Sequence, residues 1–145
     1  MNLMFAAVLQ ASLMGVQESS YEQAYKQAEA GKPLVVLIGA DWCPGCRTMK
    51  NSVMPQVRRN GALENVAFVE LNTDQQRDLT GQMMKGGSIP QLVIYHKDAE
   101  GWNRRVLVGA RSATEVERAI SDAVEAAGTE TKAVARREKA GNGSI

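Results

Sequence analysis

Two cysteines separated by Pro44 and Gly45 are the residues of this sequence best suited to chemistry. Cys43 and Cys46 are the only cysteines in the chain. A spacing of two residues brings both sulfurs within bonding distance when the segment turns at Pro-Gly. The pair follows an apolar stretch of strand length and precedes a helical pattern, so Cys43 is expected at a helix N-terminus. Unpaired backbone N–H groups there stabilise a thiolate, which predicts a redox-active dithiol.

Metal binding and inert structural thiols are the chemical alternatives for this pair. A structural zinc site takes four ligands, usually cysteine and histidine. The sequence has two cysteines and one histidine, and it contains no second cysteine or histidine pair. We therefore expect no metal site and favour redox chemistry.

The composition is that of one domain with one core. The 145 residues are 44% hydrophobic and 23% charged. Lys and Arg number 17 against 16 Asp and Glu, which gives a formal net charge of +1. Nucleic-acid binding needs a concentration of positive charge to neutralise phosphates. A nucleic-acid partner is therefore not expected.

The two ends of the chain differ in composition from its centre. Residues 1–18 are apolar and uncharged up to Gln17, but they lack the basic residues of a typical signal peptide. They are interpreted as either a signal peptide or an N-terminal segment that packs on the domain, and no stable membrane span is expected. Residues 128–145 carry four basic and two acidic side chains and few large apolar ones. They are predicted to form a flexible polar tail, which leaves residues 19–127 as the domain.

The elements that position the cysteines follow from the hydrophobic pattern. Continuous apolar runs of strand length alternate with stripes of apolar residues at helical spacing, and Pro55 is expected to kink or restart its helix. This order predicts an α/β fold with a central mixed β-sheet flanked by helices. The predicted helices are 21–30, 46–59, 75–84 and 113–127, and the predicted strands are 34–38, 66–71, 91–95 and 106–108, the last two joined by a hairpin turn.

Three landmarks in the right order resemble the thioredoxin superfamily. Trp42 with the two cysteines resembles the W-C-x-x-C active site, and Ile89-Pro90 resembles the cis-proline dipeptide of that family. Gly109 resembles the glycine that follows its last strand. The likeness covers about residues 21–127, and it looks closest to the thioredoxin domain of bacterial transmembrane thiol reductases.

This resemblance implies a role for each matching position. Cys43 would be the exposed nucleophile and Cys46 the buried resolving thiol. Pro90 would be a cis residue opposite the sulfurs, and the backbone of Ile89 would pair with a bound peptide. The implied substrate-binding residues are Trp42, Pro44, Gly45, Ile89, Pro90 and Gly109.

The implied function is that of a thiol:disulfide oxidoreductase working in the reducing direction in cell redox homeostasis. The expected partners are protein or small disulfide substrates and an upstream thiol reductant. No cofactor is expected besides the redox-active cysteine pair, and the protein is expected to be a monomer. The alternative is a redox-inactive thioredoxin-like module that binds extended peptides. The expected location is the periplasm or cell envelope if residues 1–18 are a signal peptide, and the cytoplasm otherwise.

Two positions depart from the family pattern that pairs a buried carboxylate with a lysine. Thioredoxins usually carry a buried carboxylate six residues before the first cysteine, and this sequence has Leu37 there. On the next strand, Glu70 occupies the place of the lysine that partners this carboxylate. Glu70 is either a substitute proton acceptor for Cys46 or an ordinary strand carboxylate facing solvent, and strand register decides between them.

Overall fold

The computed structural model of the protein describes residues 20–141, except the side chains of residues 129–131, 133, 134, 140 and 141. The predicted order of helices and strands is confirmed. The elements are α1 (Ser20–Glu29), β1 (Leu34–Gly39), α2 (Pro44–Thr48), a π-helical turn (Met49–Val53), α3 (Met54–Arg59), β2 (Ala67–Asn72), α4 (Arg77–Met83), β3 (Gln91–Asp98), β4 (Gly101–Val108) and α5 (Ala113–Gly141).

The four strands form one mixed sheet in the order β2-β1-β3-β4. β1 runs parallel to β2 and antiparallel to β3, and β3 and β4 form an antiparallel hairpin. The predicted α/β class with a mixed sheet is confirmed. In the β1–β2 register, Leu37 lies directly beside Glu70. Neighbouring partners point to the same face of a sheet, so Glu70 shares a face with Leu37.

Helices cover both faces of the sheet. On one face, Val35 and Leu37 of β1 belong to the same buried cluster as residues of α3 and α5, including Val57 and Ile120. On the other face, the alternate residues of β1 pack with α1 and α4. Since α2 continues towards α3, the face that carries Leu37 and Glu70 is also the face that the cysteine segment approaches.

The helical segment after the cysteines is continuous but not uniform. The sequence predicts one helix over 46–59 that Pro55 disturbs, and the structure has the π-helical turn just before α3, in whose first turn Pro55 lies. Proline has no N–H to donate to the preceding turn, so a break in the α-helical bonding at this place is expected.

The predicted ends of three elements are wrong. β3 and β4 extend to a hairpin whose last pair is Asp98 and Gly101, whereas the sequence predicted shorter strands because this part of the hairpin is polar. Helix α5 does not end at Ala127 but continues to Gly141, so the predicted flexible tail is helical over 128–141. A single Gly128 costs about 1 kcal/mol in a helix, and the Ala, Lys, Arg and Glu residues that follow are strong helix formers.

Residues 1–18, interpreted as a signal peptide or apolar segment, lie outside the described residues, and the division into domains stays a prediction. Within residues 20–141, none of the helices combines the length and the apolar character needed to cross a membrane.

Candidate functional site

The two cysteines lie where β1 passes into the helical segment. Cys43 is the N-cap residue of α2 and Pro44 occupies its first turn. Cys43 and Cys46 form a disulfide, with their Cα atoms 5.2 Å apart. The backbone N–H of Cys46 donates to Cys43 Sγ at 3.2 Å. An N–H in this position stabilises negative charge on Cys43 Sγ once the two cysteines are reduced.

The expected difference in exposure between the two cysteines is absent. Cys43 and Cys46 are each 6% exposed, so the outer cysteine is as buried as the inner one in the disulfide form. Cys43 Sγ has neighbours on two sides: it is bonded to Cys46 in the first turn of α2, and the Ile89 carbonyl oxygen lies 3.9 Å away.

Trp42 forms an exposed rim beside the disulfide. Its side chain is 66% exposed, although its indole Nε1 donates to the Asp74 carboxylate at 3.0 Å. The backbone N–H of Asp74 donates in turn to Asn72 Oδ1 at 2.8 Å. These bonds link Trp42 to the loop after β2, while most of the Trp42 side chain stays exposed. The Asp74 contact was not predicted from the sequence.

The loop before β3 brings the other predicted residues to the cysteines. The Ile89–Pro90 peptide bond is cis. A Cβ atom on Gly45 would lie 3.3 Å from Pro90 Cδ, so the cysteine turn and the proline ring are in close contact. Gly109, whose φ is +86°, donates its backbone N–H to the Pro90 carbonyl at 2.8 Å. Pro44, Gly45, Ile89, Pro90 and Gly109 therefore lie together around the disulfide.

Gln91 holds this loop and was missed as a positioning residue. Its side chain is completely buried. Its Oε1 accepts from the Lys85 N–H at 2.9 Å, and its Nε2 donates to the carbonyls of Lys85 and Ser88 at 2.9 and 2.7 Å. The available signal was a carboxamide directly after Ile-Pro at the start of an otherwise apolar strand.

Glu70 lines a cavity of about 330 Å³ that also reaches Cys46 and Leu37. Its Oε2 lies 3.5 Å from Lys50 Nζ, and the Lys50 and Glu70 side chains are 58% and 36% exposed. The register that sequence alone could not provide thus brings Glu70 and Cys46 to one cavity. Trp42, Ile89 and Pro90 do not line it, so the cavity is separate from the rim and loop described above.

Metal-ligating side chains do not gather around the cysteines. In the part of the chain that the structure describes, no three His, Cys, Asp or Glu residues group closely enough to hold a metal ion.

Comparisons with known proteins agree with this architecture. A family model described as thioredoxin-like (Thioredoxin_7) matches residues 16–97, more than half of the chain. No curated protein sequence matches.

Solved thioredoxin structures share the fold. The solution structure of a thioredoxin from Thermus thermophilus has a TM-score of 0.59 and 22% identity, over 70% of this chain and 82% of that one. Chloroplastic thioredoxin z has a TM-score of 0.57 and 24% identity, over 72% and 89%. Trichomonas vaginalis thioredoxin has a TM-score of 0.53 and 21% identity, over 72% and 91%. With the family match and the cysteine pair in its place, the chain belongs to the thioredoxin-like family.

Proposed function

We propose that the protein is a thiol:disulfide oxidoreductase that reduces disulfides in protein or small-molecule substrates. The observation that carries the proposal is the Cys43–Cys46 disulfide at the start of α2, with Cys43 Sγ close to the Ile89 carbonyl. Thiol–disulfide exchange requires a cysteine pair that alternates between a dithiol and a disulfide, and this spacing allows the two cysteines to form that disulfide.

The reaction has two displacements. In the first, the Cys43 thiolate attacks one sulfur of the substrate disulfide, and the other substrate sulfur leaves as a thiolate that takes up a proton. In the second, Cys46 loses its proton and attacks Cys43 Sγ, which releases the remaining substrate sulfur as a thiolate and closes the protein disulfide. Two electrons pass from the protein to the substrate. An upstream thiol reductant then restores the dithiol, and no further cofactor takes part.

The substrate is proposed to lie between Trp42 and the loop before β3. The exposed Trp42 side chain would offer apolar contact, and the Ile89 backbone beside Cys43 Sγ would pair with an extended peptide. Pro44, Gly45 and Pro90 would form the bottom of this substrate-binding site. Gly109, bonded to the Pro90 carbonyl, would hold the adjoining wall.

Glu70 is proposed as the proton acceptor for Cys46. The position six residues before Cys43 is Leu37, which has no group that accepts a proton. Glu70 is the neighbour of Leu37 in the sheet and lines the same cavity as Cys46. This arrangement favours the acceptor interpretation over that of a carboxylate exposed to solvent alone.

Substitution of each cysteine separately tests the function. Cys43→Ser is expected to abolish disulfide reductase activity, because it removes the attacking sulfur. Cys46→Ser is expected to accumulate a mixed disulfide between Cys43 and the substrate, detectable by mass spectrometry. The substitution removes the sulfur whose attack on Cys43 releases the substrate. Turnover by Cys46→Ser at the wild-type rate, or activity in Cys43→Ser, would contradict these roles.

The same variants separate the enzyme from a peptide-binding module. A module would bind peptide equally well in the wild type and in both serine variants, and it would show no turnover. The direction of electron flow is tested by measuring the equilibrium reduction potential of the Cys43–Cys46 pair against glutathione. Proteins that reduce disulfides have lower reduction potentials than proteins that form them.

Partners and location follow from the same proposal. We expect a monomer of bacterial origin that acts in the periplasm or cell envelope if residues 1–18 are a signal peptide, and in the cytoplasm otherwise. Sequencing the N-terminus of the protein purified from its own cells distinguishes the two locations.

A further inference from the structure

The cavity beside Cys46 is lined by charged residues of both signs. Of the described residues, four charged ones line it: Asp41 from the loop after β1, Arg47 and Lys50 from the helical segment, and Glu70 from β2. Cys46 is the only sulfur-bearing residue among the lining residues, and it is 6% exposed.

The two cations in the cavity have different partners. Arg47 reaches back along the chain, where its Nη1 lies 3.5 Å from the Asp41 carbonyl oxygen. Lys50 follows Cys46 by four residues, about one helical turn, which places both side chains on one side of the helical segment. Its Nζ lies 3.5 Å from Glu70 Oε2. Lys50 is thus the cation that links the helical segment of Cys46 to β2, which carries Glu70.

The charge balance shows why this cation matters. Burial in an apolar setting opposes the ionisation of a thiol. A carboxylate in the same cavity opposes it further, because the thiolate and Glu70 are both negative. A neighbouring ammonium group offsets both effects, since an opposite charge within several ångströms favours the ionised form.

We propose that Lys50 is a positioning residue for the second displacement, in which it holds Glu70 at the cavity and stabilises the Cys46 thiolate. This inference rests on the proposed oxidoreductase function and assigns a residue that acts in only one of its two steps. The Cys46 proton passes to Glu70, Cys46 Sγ bonds to Cys43 Sγ, and the bond from Cys43 to the substrate sulfur breaks. The substrate leaves as a thiolate and takes a proton from solvent.

The ionisation of Cys46 is measured directly in a Cys43→Ser background, where it is the single thiol. The ultraviolet absorbance of the thiolate is followed against pH. Adding Lys50→Met is expected to raise the pKa of Cys46 by about one unit, the lower end of the effect of a nearby charge, because Lys50 is more than half exposed. Lys50→Arg keeps the charge and is expected to restore most of the difference.

Stopped-flow reduction of a chromogenic aromatic disulfide separates the two displacements. The first phase reports attack by Cys43 and the second reports release by Cys46. Lys50→Met is expected to leave the first phase unchanged. It is expected to move the pH profile of the second phase by about one unit to higher pH, which slows that phase about tenfold near neutral pH. Glu70→Gln is expected to slow the second phase without moving its profile to higher pH.

Lys97→Met is the matched control, since Lys97 is an exposed lysine near the tip of the β3–β4 hairpin and lies outside the cavity. Two results would overturn the inference: an unchanged Cys46 pKa in Lys50→Met, or slowing that is equal at every pH and is not restored by Lys50→Arg. A wild-type protein that shows neither phase would contradict the oxidoreductase function instead, and the titration of Cys46 would still decide the role of Lys50.

Discussion

At the scale of single residues, the packing of Cys46 depends on Gly39, which has no side chain. A Cβ atom on Gly39 would lie 2.8 Å from Cys46 Cβ and 2.9 Å from Cys46 Sγ, closer than non-bonded atoms approach. Gly39 ends β1, and its carbonyl accepts from the Thr73 N–H at 2.9 Å, so its backbone is held at this place. Glycine is therefore required here by close packing rather than by its φ angle.

Gly39→Ala is expected to lower the free energy of unfolding of the oxidised protein by about 1–3 kcal/mol, the usual cost of overpacking. The added methyl must displace Cys46 or the end of β1, because both are fixed by neighbours. Denaturant unfolding followed by circular dichroism measures the change. Gly81→Ala is the control: Gly81 lies inside α4, and apart from its chain neighbours and the backbone of its own helix no atom lies within 4 Å of its Cβ position, so alanine there is expected to stabilise the protein by about 0.5–1 kcal/mol. Equal stability of Gly39→Ala and wild type would show that the cysteine moves freely.

At the scale of elements, α5 begins at a reciprocal cap. The backbone N–H and the hydroxyl of Ser112 donate to Glu115 Oε2 at 3.0 and 2.8 Å, and the Glu115 N–H donates to Ser112 Oγ at 3.3 Å. These bonds from Ser112, more than the ion pair with Arg111 at 3.6 Å, hold the pKa of Glu115 below its usual value. The cap fixes the start of the helix directly after Gly109 and Ala110, which border the disulfide region.

Ser112→Ala is expected to raise the pKa of Glu115 towards its ordinary value and to destabilise the protein by about 1 kcal/mol. A carboxyl whose pKa is lower in the folded state stabilises the fold above its unfolded pKa of about 4.3. That stability is lost as the pH falls through the folded value. The variant should therefore lose less stability than wild type on acidification. Titration by NMR and unfolding at two pH values measure both effects, and a Glu115 pKa unchanged by Ser112→Ala would exclude the cap as the cause.

The elements themselves show which signals in a sequence are local. β1 is correctly predicted within one residue because a continuous apolar run describes a strand covered on both faces. The start of α5 is also predicted, whereas its end is not, because the polar composition after Ala127, with few large apolar residues, is typical of a flexible tail. The β3–β4 hairpin extends through polar residues on an exposed ribbon, where hydrophobic periodicity carries little information.

At the scale of the whole molecule, the sequence predicts the α/β class, the order of the elements and the cysteine pair, because each depends on neighbouring residues. Contacts between distant elements could not be predicted, apart from the approach of Ile89 and Pro90 to the cysteines, which the family resemblance implies. The Trp42–Asp74 bond spans 32 positions, and the cavity shared by Cys46, Lys50 and Glu70 depends on both strand register and helix phase. The set of charged residues in the cavity beside Cys46 therefore had to come from the structure.

The length of α5 gives a prediction about the whole chain. Among the residues of α5 whose side chains are described, the buried ones lie in its first half, and those within 128–141 are exposed. The buried ones are Ala113, Val116, Ala119, Ile120 and Ala123. The described residues of α5 that pack in the core with β1 thus all come before Ala127.

Truncation after Ala127 is expected to change the free energy of unfolding by less than about 0.5 kcal/mol, as for changes confined to exposed surface. Both phases of disulfide reduction are expected at wild-type rates. Ile120→Ala in the full-length chain is the contrasting variant, with an expected loss of about 2–5 kcal/mol, because Ile120 is 1% exposed and packs in the cluster that includes Val35 and Leu37. Denaturant unfolding and stopped-flow kinetics of the two variants give the comparison. A truncated protein that unfolds as readily as Ile120→Ala would show that the second half of α5 supports the core. That result would contradict the expectation that only the first half of the helix does so.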